Sequence, residues 1–112
     1  PLRSPYVAAK WGVIGLTKSW AMELGEFGVR VNAICPGSVS GPRMDGVIER
    51  EAKAVGKTPE EIRTGYEKQV SLQTFVEASD IAASCVFLSS PAARYISGQV
   101  LPVDGNIETM RA

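Results

Sequence analysis

The sequence of 112 residues contains no histidine. This absence excludes a Ser-His-Asp triad, a histidine-ligated metal and an imidazole base from the chain. Any acid–base chemistry must therefore use tyrosine, lysine, aspartate or glutamate side chains. We expect no metal site.

Cysteine is scarce as well. Cys35 and Cys85 lie far apart in the sequence, each in apolar surroundings. This pattern is typical of small buried hydrophobic residues in a reducing compartment, and it disfavours a disulfide framework. We predict two buried, unpaired thiols and a cytoplasmic location.

Neither sign of charge predominates, since 12 Lys and Arg balance 12 Asp and Glu. The chain therefore lacks the basic surface that nucleic acids or anionic membranes attract. No uncharged stretch approaches the ~20 apolar residues of a membrane-spanning helix. We expect small molecules and other proteins as partners, with no nucleic acid and no membrane.

A starting methionine and a Gly-rich phosphate-binding loop are also missing. The chain begins with Pro1, and no charged and apolar leader precedes its first motif, so we expect a truncated portion of a longer protein. Its length allows one small domain at most. No Gly-rich segment follows a strand and opens a helix, so nothing here predicts a pyrophosphate cradle.

The first element present is a long helix. Ser4 and Pro5 predict its start, with Ser4 as the N-cap, and apolar residues recur at helical spacing up to a stop at Gly25 and Gly28. The helix is apolar on more than one face and rich in small residues. We therefore predict that it packs between two other elements.

The rest of the chain alternates strand and helix signals. β-branched residues in the stretch VRVNAIC predict a short buried strand over 29–35, ended by a Pro-Gly turn. Thr58 and Glu61 form a capping-box pattern that predicts a helix start. The remaining expectations are an irregular binding loop over 38–57 with a short helix at about 47–55, helices at about 59–69 and 80–89, and a last strand within 98–105. The order is that of an α/β fold.

Tyr6 and Lys10 are the candidate catalytic residues. Four residues apart on a helix, they share one face. A cation beside a phenol favours the phenolate, and such a tyrosine can exchange a proton with an alcohol or carbonyl oxygen. The spacing is common, however, and a packed tyrosine beside a solvated lysine is the alternative interpretation.

Two longer stretches make the pattern more specific. YVAAKWGVIGLTKSWAMELGEFGVRVNAICPG, residues 6–37, and EASDIAASCVFLSSPAARYISGQVLPVDG, residues 77–105, resemble the second half of the short-chain dehydrogenase/reductase family of the classical type. The resemblance implies a single Rossmann-like α/β domain with a parallel sheet, of which residues 1–112 are the C-terminal portion. It also implies that residues 38–76 are the substrate-loop region, and that the N-terminal cofactor-binding half, with the Gly-rich turn, an Asn and the catalytic Ser, lies upstream.

The resemblance also implies the site residues. Tyr6 would be the general acid or base, and Lys10 would bind the ribose hydroxyls of NAD or NADP. Pro36 and Gly37 would form the wall beneath the nicotinamide, and the Val39 backbone would meet its carboxamide. Many members carry a threonine where this chain has Gly41, a contact that Ser38 or Ser40 could replace.

The implied function is an NAD(P)-dependent oxidoreductase that interconverts a ketone and a secondary alcohol. A naturally short, non-catalytic assembly partner of a dehydrogenase oligomer is the alternative, since the first helix and last strand build homotetramer or dimer interfaces in the family. Met44, Tyr66 and Phe75 either line an apolar pocket or simply pack together. Alone, the chain would expose one face of the first helix and a strand edge, so we expect it to be insoluble or swapped.

Overall fold

The computed structural model describes residues 3–107. Its elements are α1 (Ser4–Leu24), β1 (Ala33–Pro36), α2 (Pro42–Val55), α3 (Pro59–Lys68), α4 (Ala78–Ser89) and β2 (Val100–Val103), with short 3-10 turns at Gly25–Phe27 and Pro91–Ala93. The described chain divides into two compact units, one comprising residues 3–34 and 85–101 and the other residues 35–84 and 102–107.

β1 and β2 form a two-stranded parallel sheet. The Ala33 N–H donates to the Gln99 carbonyl at 2.9 Å, and the Gly37 N–H donates to the Val103 carbonyl at 2.9 Å. The constant offset between donor and acceptor numbers is the register of a parallel pair. The described chain thus combines four α-helices with a parallel sheet, and the predicted α/β class is confirmed.

The predicted strand over 29–35 begins too early, since β1 starts at Ala33. Before it, one backbone bond, from the Gly98 N–H to the Val31 carbonyl at 2.7 Å, is joined by hydrogen bonds that involve side chains. The Val31 N–H donates to the Ser97 hydroxyl at 3.1 Å, and the Asn32 side chain donates to the Ile96 carbonyl while accepting from the Gln99 N–H. β1 is also only partly buried within the described chain.

Helix α1 differs from its prediction at its start and in its packing. Ser4 is the first helical residue and Arg3 the N-cap, because the Val7 N–H reaches the Arg3 carbonyl at 2.9 Å; no side chain caps this end. Only Thr17 of α1 is buried, so the predicted packing between two elements is wrong for the described residues. Helix α1 is apolar on several faces, and the described chain covers few of them.

The second unit has a core of its own. Helices α2 and α3 form a hairpin around four buried side chains, which are those of Ile48, Ala52, Ile62 and Phe75. The partly buried side chains of Met44 and Tyr66 pack against this cluster. This arrangement favours packing over pocket lining for Met44, Tyr66 and Phe75. Helix α2 starts at Pro42, earlier than predicted, because Pro is well accommodated in a first helical turn.

Helix α3 confirms its predicted start. The Thr58 hydroxyl accepts from the Glu61 N–H at 3.2 Å and donates to the Glu61 carboxylate at 3.2 Å. One of the free N–H groups of the first turn is thereby satisfied by a side chain within four residues in sequence. The N-terminus of α3 is thus determined locally.

Both cysteines are unpaired, as predicted, but the expected burial is wrong for Cys85. Cys85 is exposed and Cys35 is half-buried. Helix α4 is apolar around much of its circumference, and its partly buried residues form one stripe of Ile81, Ser84 and Leu88. Cys85 lies off this stripe, so its apolar neighbours in sequence do not cover it.

Candidate active site

Helix α1 brings Tyr6 and Lys10 together on one exposed face. The Lys10 ammonium lies 5.3 Å from the centroid of the Tyr6 ring, and the phenol is 52% exposed. Among residues 3–107, the ammonium has no hydrogen-bond or ion-pair partner. Its three N–H donors are therefore available to a ligand beside the phenol.

Arg3 is a neighbour of this pair that the sequence interpretation missed. Its guanidinium carbon lies 5.0 Å from the Tyr6 ring centroid, so two cations flank one phenol. The signal was present in the sequence, since residues three apart on a helix share a face. Each cation is attracted to the ring by its quadrupole, which steadies the side chain on an open surface.

Pro36 is the last residue of strand β1 and Gly37 follows it, both in the second unit. Pro36 is exposed, and Gly37 is held in the sheet by its bond to Val103. A Cβ at Gly37 would lie 2.7 Å from the Asp104 Cβ and 2.8 Å from its Cα. The glycine is therefore required by the close approach of the Asp104 backbone, independently of any ligand.

Val39 forms an isolated parallel bridge with Val76. The Ser40 N–H donates to the Val76 carbonyl at 2.8 Å, and the Val76 N–H donates to the Ser38 carbonyl at 3.0 Å. The N–H and C=O of Val39 itself point away from this bridge. They have no partner within the described chain, although the residue is half-buried.

Gly41 stands where many members of the resembled family carry threonine. Its φ is 147° and its ψ is −179°, a region that only glycine adopts at low cost. The hydroxyls of Ser38 and Ser40 make no hydrogen bond to any other described residue. The backbone here thus explains the glycine, and both serine hydroxyls are free to contact a ligand.

Within the described residues, no group of three or more Cys, Asp or Glu side chains is arranged to hold a metal ion. No helix of this described portion has the length and apolar character needed to cross a bilayer.

Comparison with known proteins decides the family. A family model described as Enoyl-(Acyl carrier protein) reductase matches residues 1–107, nearly the whole chain. The chain belongs to the short-chain dehydrogenase/reductase family. The predicted family and Rossmann-like fold are thereby confirmed.

Individual members of this dehydrogenase/reductase family cover the same region. D-beta-hydroxybutyrate dehydrogenase of Cupriavidus necator is 43% identical over 105 residues, which are 92% of this chain and 40% of the relative. A short-chain dehydrogenase family protein of Francisella tularensis superposes with a TM-score of 0.87 at 30% identity, covering 93% of this chain and 43% of that structure. An actinorhodin polyketide ketoreductase solved with NADPH gives a TM-score of 0.84 at 34% identity, with coverage of 93% and 40%. The chain thus spans about two fifths of the length of its relatives.

Proposed function

We propose that this chain is the C-terminal portion of one NAD(P)-binding Rossmann-like domain, with residues 38–76 as its substrate-loop region. The longer protein is an oxidoreductase that interconverts a ketone and a secondary alcohol by hydride transfer. The observation that carries the proposal is the exposed pairing of Tyr6 with Lys10, whose ammonium lies 5.3 Å from the phenol ring. Similarity to a hydroxybutyrate dehydrogenase and an NADPH-bound ketoreductase supports this reaction class.

Tyr6 serves as the acid and base. In the direction of reduction, its O–H donates a proton to the carbonyl oxygen, and in oxidation the phenolate takes the proton back from the alcohol. A bound NAD(P)H would supply the hydride for the carbonyl carbon, and NAD(P)+ would accept it in the reverse direction. Lys10 stabilises the phenolate left after proton donation and donates hydrogen bonds to the ribose hydroxyls.

The second group of residues fits the carboxamide of a nicotinamide. Val39 offers one free N–H and one free C=O within the described chain, the complement of a carboxamide, which has both an acceptor and donors. Pro36 and Gly37 precede it and form the adjacent wall. The residues therefore fit NAD or NADP, which a Rossmann-like sheet binds at the carboxyl ends of its strands.

The partners follow from the same proposal. A small ketone or secondary alcohol is the substrate, and the protein is a cytoplasmic homo-oligomer, either a tetramer or a dimer. The apolar surface of α1, where Trp11 is 67% and Trp20 48% exposed, supports burial of this helix against other protein surface.

That same exposed surface favours the second candidate function. A naturally short chain could use α1 to join a dehydrogenase oligomer without catalysis. The intact mass of the protein isolated from its source separates the two, since this chain alone has a mass of 12.0 kDa. A mass more than twice that value supports the oxidoreductase, and a mass near 12.0 kDa supports the assembly partner.

Tyr6→Phe in the full-length enzyme tests the acid–base role. Loss of the phenolic proton should lower kcat by about 10²- to 10⁴-fold, as measured by nicotinamide absorbance with a ketone substrate. Tyr95→Phe is the matched control, because Tyr95 is 89% exposed on the same unit and its ring centroid lies 5.1 Å from the Arg94 guanidinium carbon. Unchanged turnover in Tyr6→Phe would refute the assignment.

A further inference from the structure

Two adjacent residues in the segment between α3 and α4 face two different structures. Phe75 is 6% exposed and belongs to the hairpin core with Ile48 and Ile62. Val76, the next residue, exchanges both bridge hydrogen bonds with the segment Ser38–Ser40. One planar peptide unit joins the two residues, so the backbone of the core residue Phe75 adjoins the bridge directly.

The position of the Phe75 ring is determined from two sides. The Tyr66 ring meets it edge-on, with centroids 6.4 Å apart and planes at 82°. The Arg63 guanidinium carbon lies 4.7 Å from its centroid. These are the favourable geometries for an aromatic pair and for a cation over a ring.

Helix α2 in turn holds both of these neighbours. Arg63 pairs with the Asp45 carboxylate at 2.8 Å, and the Tyr66 hydroxyl donates to Glu51 at 2.6 Å. The packing between α2 and α3 therefore reaches the Phe75 ring through two side chains that each have a second partner on α2. Interaction chains of this kind can couple the positions of their ends.

Val39 lies at the far end of this chain of contacts. Its carbonyl and N–H have no partner among residues 3–107, and the bridge to Val76 sets their direction. We infer that Phe75 is a positioning residue for the nicotinamide carboxamide, acting through Val76 on the Val39 peptide. The inference rests on the proposed function, since it requires that Val39 meets that group.

The test compares two ligands on the full-length protein. NADH or NADPH carries the nicotinamide, whereas ADP-ribose or its 2′-phosphate lacks it and engages only the rest of the cofactor site. Phe75→Leu should weaken the binding of NADH or NADPH by about three- to tenfold more than the binding of ADP-ribose or its 2′-phosphate. Titration calorimetry measures the four dissociation constants. Ile62→Val is the control: it perturbs the same core, where Ile62 is 8% exposed, and should leave the ratio of the two dissociation constants unchanged.

A surface variant keeps the test decisive if Phe75→Leu does not fold. Arg63→Gln removes the cation above the Phe75 ring. It should lower the affinity for NADH or NADPH, relative to the affinity for ADP-ribose or its 2′-phosphate, by about two- to threefold. Lys68→Gln is its control, because Lys68 lies on the same helix and makes no hydrogen bond, ion pair or ring contact within the described chain. Amide exchange in the ligand-free protein gives a second readout. The Val76 and Ser40 amides should exchange faster in Arg63→Gln than in Lys68→Gln.

Each outcome separates the inference from the proposed function. If the Phe75 and Arg63 variants bind both ligands equally more weakly, or bind both as tightly as wild type does, the positioning role of Phe75 is overturned, even if Tyr6→Phe abolishes turnover. A selective loss for the reduced cofactor supports the positioning role even if Tyr6→Phe remains active, which would overturn only the acid–base assignment. A wild-type protein that binds neither NADH nor NADPH overturns both.

Discussion

In the α2–α3 hairpin, Ile48 and Ala52 are each 3% exposed, whereas on α1 Trp11 is 67% and Met22 78% exposed. The hairpin helices have one apolar face each, and these faces meet, so the second unit buries a cluster of apolar side chains with its own residues. Helix α1 is apolar on several sides, as buried helices are. The hairpin is thus sufficient for its own packing, while α1 has the composition of a helix that is covered by other protein surface.

The behaviour of the 112-residue chain produced by itself tests this difference between the two helical regions most directly. We expect it to self-associate, because the exposed apolar side chains of α1 favour contact with one another over water. Trp11→Glu with Trp20→Glu should shift it toward monomer in analytical ultracentrifugation. The control, Ala54→Glu with Thr64→Glu, adds the same charge to exposed positions of the hairpin and should not. A monomeric wild-type chain at micromolar concentration would contradict the prediction.

Two phenylalanines compare the units in the full-length protein. Phe75→Ala should reduce the free energy of unfolding by about 3–5 kcal/mol, because it opens a cavity in the hairpin core. Phe27→Ala removes a side chain that is 70% exposed. This substitution should change the free energy of unfolding by no more than about 0.5 kcal/mol. Urea denaturation measures both. A large loss for Phe27→Ala would show that surface outside residues 3–107 covers this ring.

Gly28 in the first unit and Gly105 in the second have the same left-handed backbone conformation but different surroundings. Gly28 has a φ of 73° and open space around it, so Gly28→Ala should cost about 1–2 kcal/mol for the left-handed backbone alone. Gly105 has a φ of 71°, but a Cβ there would lie 2.6 Å from a methyl of Val70, which is 3% exposed. We expect Gly105→Ala to cost about 2–4 kcal/mol. Equal losses in thermal unfolding would mean that Val70 moves aside freely.

Tyr66 gives the smallest effect, one that depends on pH. Its hydrogen bond to Glu51, then its burial and the Glu51 charge, raise the pKa of the Tyr66 phenol. The neutral phenol is therefore favoured in the folded state, and its contribution is complete below the ordinary value of about 10 and lost as pH rises through the raised pKa.

Tyr66→Phe tests this dependence. At pH 8 the variant should be less stable than wild type by about 1 kcal/mol, the usual net worth of one such hydrogen bond. The difference should shrink as pH rises beyond about 10, in urea titrations at each pH. Tyr95→Phe, at an exposed position, should show no such trend. A difference that stays constant through this range would contradict the assigned cause.

Local sequence signals predicted some elements well. The Thr58 and Glu61 pattern predicted the start of α3, because a cap is a contact between residues three apart. The spacing of Tyr6 and Lys10 likewise predicted their proximity. The start of β1 was misplaced, because Val31 and Asn32 bond to the side chain of Ser97 and the backbone near it, more than sixty residues away. Exposure of Cys85 was missed for a similar reason, since neighbours in sequence do not show which face of α4 is covered.

The sequence by itself determined the family, the start of α3 and the pairing of Tyr6 with Lys10, because these depend on motifs and on contacts within one or two helical turns. The tertiary structure decided the bridge between Val39 and Val76, the close approach of Asp104 to Gly37 and the enclosure of Phe75. These features join residues that are distant along the chain. Their formation depends on loop closure and packing of whole elements, which no local pattern encodes.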